Sequence, residues 1–302
     1  MQSAPADIQD SIESAMLAGL ARGDGVVAGV APVLRHLLVN DDRDYFADDI
    51  LAALRGMIAD IALQLAGEGH DHAALIPALV DVPGLVAQAH ALAAEGQLAQ
   101  RLRVTQGMDP VLSPLLQALI ASPHAETAAL AMQVLAAQAR FVQHQRRMQW
   151  PLAELPAEVL HGALQAWRAH IGDAAAPQEA ALRADYDEAA TRLGLLSRLI
   201  GQIGTGAVAA LELSHAGVAI FASALAATSG QARTQALLSM LSRHVERLVV
   251  GLRAGGLPVP GIEATVLALH PGVCPPPGLG RLTPERAARL LAHTAPPHEG
   301  KS

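Results

Sequence analysis

The sequence predicts an all-α fold: irregular antiparallel helix pairs or a multi-helix bundle of about a dozen helices. Three observations predict it. Hydrophobic residues make up 51% of the 302 residues while aromatics make up 2%, and Ala and Leu favour close helix packing over sheets. Apolar positions recur at helical spacing, with no strand-like alternation. Gly, Pro, Asn and Asp interrupt that periodicity at regular intervals.

In chain order, the first helix is carried by Ile8, Ile12, Ala15, Met16 and Leu20 and closed at Gly23 to Gly25. A break at Asn40 to Asp44 precedes the series Phe46, Ile50, Leu54, Met57, Ile58 and Ile61. Further breaks follow at Gly67 to Asp71, Val82 to Gly84, Gly107 to Pro110, and Ser122 with Pro123. A long helix then runs from about Pro123 to Gln149 and ends at WPLAELP, residues 150 to 156. That stretch divides an N-terminal helical region, 1–150, from a C-terminal one, 151–270. Later breaks fall at Gly172 to Pro177, Gly201 to Gly206, Thr228 to Gly230 and Gly255 to Pro260. After Pro271, PGVCPPPGLG forms a stiff connector to a short terminal helix opening at Thr283-Pro284, and the tail to 302 reads as disordered. Beyond Pro177, Glu179, Arg183 and Asp187 are spaced by four, as are Glu188 and Arg192, which predicts a solvated face.

The totals argue against several classes. A net charge of -7 supplies no positive field for phosphates, so nucleic acid is not expected as a partner. The basic group Arg140, Arg146 and Arg147 suits a helix C-terminus. A single cysteine, Cys274, allows no intramolecular disulfide, and MQSAPADIQD lacks the features of a signal peptide. Mean hydropathy is +0.29, yet the most apolar run, Ala216 to Thr228, is too short to span a bilayer. These features predict a soluble cytoplasmic protein with no transmembrane segment.

Three side-chain groups invite chemistry. The run NDDRDYFADD gathers Asp41, Asp42, Asp44, Asp48 and Asp49, but Mg2+-dependent diphosphate enzymes want DDxxD, so these carboxylates read as helix-start residues. His70 and Asp71 in GHDH, with His36 upstream, resemble the dipeptide of HD phosphohydrolases, in which His and Asp hold a metal that activates water. The flanking Gly67-Glu68-Gly69 would hold such ligands poorly, leaving Asp71 as a helix cap. Glu212 and His215 form a Glu-x-x-His pair, half of the arrangement of a di-iron bundle, which requires two such motifs plus two further carboxylates, and no second pair is expected in the chain. On a helical wheel this pair shares a narrow stripe with Thr205, Ala216, Ala219 and Ser223, opposite Val218, Phe221 and Leu225. The pair therefore points outward or lines a shallow groove, and Val218, Phe221 and Leu225 become the expected interaction surface. Neither GxSxG nor GxxxxGK[ST] occurs, and no motif calls for a cofactor.

The run AALELSHAGVAIFASALAATSGQ, followed by LLSMLSRHVERLVVGLRAGGLP, resembles an alphaproteobacterial domain-of-unknown-function family with irregular, HEAT-like helical repeats. The resemblance spans about residues 205–258 and rests on Gly217, Phe221, Leu225-Ala226 and the closing Ala-Gly-Gly-Leu-Pro at 254 to 258. It implies a repeat-like architecture and a bacterial cytoplasmic setting, without catalytic residues. The expected function is a non-catalytic protein-interaction or scaffold module, binding a protein partner or itself. The alternatives are an HD-like metal-dependent phosphohydrolase and a small-molecule sensor with an apolar inter-helix pocket.

Overall fold

The computed structural model describes residues 47–67, 71–242, 245–276 and 279–294. The described residues all belong to one compact unit, 47–302. The helix expected over Ile8 to Leu20, together with Asp41, Asp42, Asp44, His36, His70 and the tail beyond 294, lies outside the described residues.

Among the described residues there are thirteen α-helices and no strand, in agreement with the all-α expectation. They are α1 (Asp48–Ala66), α2 (Ile76–Val80), α3 (Leu85–Gln106), α4 (Pro114–Ile120), α5 (Ala125–Arg146), α6 (Ala157–Ile171), α7 (Ala176–Asp185), α8 (Arg192–Ile203), α9 (Leu213–Ser229), α10 (Arg233–Ser239), α11 (Glu246–Ala254), α12 (Val259–Leu269) and α13 (Pro284–Thr294). Short 3-10 turns join several of them.

Local chemistry explains where they begin. Asp48 and Asp49 occupy the first turn of α1, where carboxylates complement the exposed N–H groups. The Asp71 carboxylate accepts from the Ala73 N–H at 3.1 Å, so this residue caps the 3-10 turn His72–Leu75, as its loop position suggested. Ser113 caps α4 ahead of Pro114, and Thr191 caps α8 by accepting from the Gly194 N–H at 3.0 Å.

The helices pack as follows: α1 on α3, α5 on α4 and α8, and α13 on α11. At the centre is α9, which touches α3, α4, α8, α10 and α11. Every residue from Ala216 to Ala226 is buried, because alanines and a glycine let neighbouring backbones approach on all sides. The expectation of an amphipathic helix with an outward polar stripe is therefore corrected. Gly217, at φ 70° and ψ 165°, interrupts α9 in a conformation open almost only to glycine. The residues before and after it do not share one helical wheel.

The 150 to 156 stretch is a packed connector inside the 47–302 unit. Asp60 accepts from the Trp150 N–H at 2.9 Å, and the Gln64 side chain bonds the Trp150 carbonyl and the Leu152 N–H at 3.1 and 3.0 Å. Trp150, Leu152 and Leu155 are buried. No single helix among the described residues is long and apolar enough to cross a membrane.

Candidate functional site

Three charged side chains from distant parts of the chain meet inside the fold. Glu95 lies midway along α3, where Leu92, Leu98 and Ala99 share its buried side. Arg192 and Arg233 are the first residues of α8 and α10. Thr191 turns the chain into α8 and Gly230 ends α9 three residues before Arg233, so local capping aims both cations inward.

The Glu95 carboxylate is gripped from two sides. Arg192 donates Nη1 to Oε1 at 2.8 Å and Nη2 to Oε2 at 2.9 Å. Arg233 donates Nη1 to Oε2 and Nη2 to Oε1, both at 3.1 Å. Paired forks of this kind are the strongest geometry a carboxylate meets in proteins. Arg192 also donates to Gln138 Oε1 at 3.0 Å, and its guanidinium lies 3.7 Å from the centre of the Phe141 ring. Gln138 in turn donates to the Pro110 carbonyl, and Arg233 Nε donates to Ser223 Oγ at 3.0 Å.

Glu95 and Arg192 are 1% and 3% exposed, a depth at which an unpaired charge would be untenable. Burial pushes the Glu95 carboxyl upward, but the Arg192 and Arg233 charges and their hydrogen bonds outweigh it and hold it at about 2. Glu95 stays ionised. With two arginines around one glutamate, the group carries one surplus positive charge.

Arg192 also lines an open cleft of about 370 Å³, mouth included, whose walls include Phe141, His144, Gln149, Trp150 and Glu154. Glu154 Oε2 accepts from the Arg192 backbone N–H at 2.7 Å. Nearby, Tyr186 donates its hydroxyl to the Leu155 carbonyl at 2.7 Å. Desolvation, followed by Glu188, Asp187 and Glu154, raises its phenol to about 12.

The residues singled out from the sequence behave differently. Glu212 is exposed just before α9 and accepts from Ser214 Oγ at 3.2 Å, while His215 is half-buried in the first turn. The expectation of a single Glu-x-x-His is corrected: a second, Glu158 to His161, lies on α6, and there His161 Nδ1 sits 3.0 Å from the Arg183 guanidinium. Among the described residues no three His, Cys, Asp or Glu side chains group to hold a metal. Asp71 is exposed and engaged in its turn.

Val218, Phe221 and Leu225 are 7%, 0% and 0% exposed. The expected interaction surface is corrected: the chain's own helices cover that face. Arg183 does pair with Glu179 as the spacing predicted, at 2.8 Å. Arg192 does not pair with Glu188, because the 3-10 turn Glu188–Ala190 and the Thr191 cap break the helix between them.

Sequence reasoning missed Glu95, Arg192 and Arg233. One signal was present: in LVAQAHALAAEGQLAQRLRV, Glu95 stands three residues from Leu92 and Leu98, on the apolar side of the helix. A charge at such a position needs a partner. No protein-family model, curated protein or solved structure matches the chain.

Proposed function

We propose that the chain is a helical protein-interaction module, built on irregular helix pairs and working in a bacterial cytoplasm. The setting follows from the resemblance over about residues 205–258. What supports the interaction role is the junction of α3 and α12. Val104 and Leu267 are 75% and 63% exposed, the largest values among the exposed large hydrophobic residues described. They flank a junction in which Arg101 and Gln106 donate to the Leu269 and Ala268 carbonyls at 3.3 and 2.6 Å. These two donors satisfy carbonyls that the end of α12 would otherwise leave open. The apolar side chains are therefore presented on braced helix ends, and exposed apolar groups on a rigid support suit a protein partner or a second copy.

The test is light scattering over a concentration series together with pull-down, comparing the native chain with a V104S/L267S double variant. Association lost in the variant, with helicity and Tm unchanged, is the expected result. Association that survives the double substitution, or that never occurs in the native chain, would defeat the proposal.

A further inference from the structure

Helix α5 packs on α3, α4 and α8, and its remaining side is open. At about 100° per residue, Ala129, Met132, Arg140, Gln143 and Arg147 lie within about 40° of Ala136, and all six are exposed. Met132 is 50% exposed. From Thr127 to Ala139 the helix carries no charged residue, although a solvated helix face is ordinarily charged and polar along its length. The charges stand at the two ends instead. Glu126 lies in the first turn, while Arg140, His144, Arg146 and Arg147 gather towards the last.

We infer that this face joins a second copy of the chain, with α5 lying antiparallel on α5 about a two-fold axis at Ala136. An interface of that symmetry has to be complementary to itself. Antiparallel alignment meets this condition: it sets the acidic start of each helix against the basic end of the other and opposes their macrodipoles. A parallel pairing would set Glu126 on Glu126 and Arg147 on Arg147. Centring the pair on Ala136 puts Gln143 opposite Ala129 and brings Glu126 beside the second copy's Arg147, and symmetry repeats both contacts. Met132 then lies across from the aliphatic stem of Arg140, which covers it while the guanidinium stays in water. Alanine on the axis lets the two backbones come close. The α5 face shares no residue with the junction of α3 and α12, so the two proposals are separate.

Sedimentation equilibrium on the full chain tests the pairing, carried out on V104S/L267S so that the junction contributes nothing. A reversible dimer at concentrations up to about 100 µM is expected. E126R and R147E each place two like-charge contacts in the dimer and weaken it at least about tenfold. Mixing E126R with R147E restores dimers, because one end of the pair then carries the reversed contact and the other the native one. The double variant E126R/R147E pairs with itself for the same reason. A136E sets two carboxylates face to face on the axis and leaves a monomer. These side chains are exposed, so helicity and Tm stay unchanged throughout. The junction is in turn read on an A136E background, with and without V104S/L267S, so each surface can fail alone. A chain that stays monomeric, single reversals without effect, or no recovery on mixing would each overturn the inference.

Discussion

At the scale of single residues, the Glu95 carboxylate must ionise inside the fold to hold two arginines. Its folded value of about 2 lies below the usual 4.5, so its contribution is present above that usual value and is lost as pH falls towards 2. The linkage is on the order of 3 kcal/mol. Denaturant melts between pH 5 and 2 are expected to show a steep loss of stability in the native chain and a flatter profile in E95Q. An equally steep profile in E95Q would show that other carboxylates dominate. At neutral pH, E95Q strands the buried Arg192 and the half-buried Arg233 and costs about 3–5 kcal/mol. None of this was visible in the spacing of Arg192. A four-residue interval from Glu188 predicted a solvated ladder, and only the Thr191 cap, which restarts the helix, reverses which way Arg192 points.

Among the elements, α9 shows both what pattern reading can reach and where it stops. Its position and its closure at Gly230 were legible from the apolar run and the glycine. Its environment was not, since alanine is compatible with a half-exposed helix and with a fully buried one, and only the neighbours decide. Gly217 defeated the helical wheel, because one residue at positive φ resets the phase of everything after it. Replacing Gly217 with Ala forces a side chain into that conformation and brings its Cβ to 3.1 Å from the Ser113 Cβ. A loss of about 1–3 kcal/mol is expected by denaturant titration. A variant as stable as the native chain would mean that α9 can straighten without disturbing α4.

For the molecule as a whole, all-helical architecture was readable from composition and period, whereas long-range organisation was not. The stretch 150 to 156 reads as a boundary between helical regions in the sequence; in the structure Asp60 and Gln64 bind its backbone and Trp150 is buried. Glu95 comes from before this stretch and its two arginines from after it. Separate production of 1–150 and 151–302 is accordingly expected to give two chains without cooperative melting, while the intact 47–302 unit unfolds in a single transition. Two independently folding halves, seen by calorimetry and circular dichroism, would contradict this.

The buried Trp150 has an optical consequence. Both tryptophans are 3% exposed, but Trp150 Nε1 donates to the Glu154 carbonyl at 3.4 Å whereas Trp167 Nε1 has no partner among the described residues. Emission from the folded chain therefore starts from two buried indoles, one hydrogen-bonded within the connector and one without a partner on α6. Unfolding wets both, so a red shift follows the whole unit, and replacing either indole leaves a fluorophore that watches the connector or α6 alone.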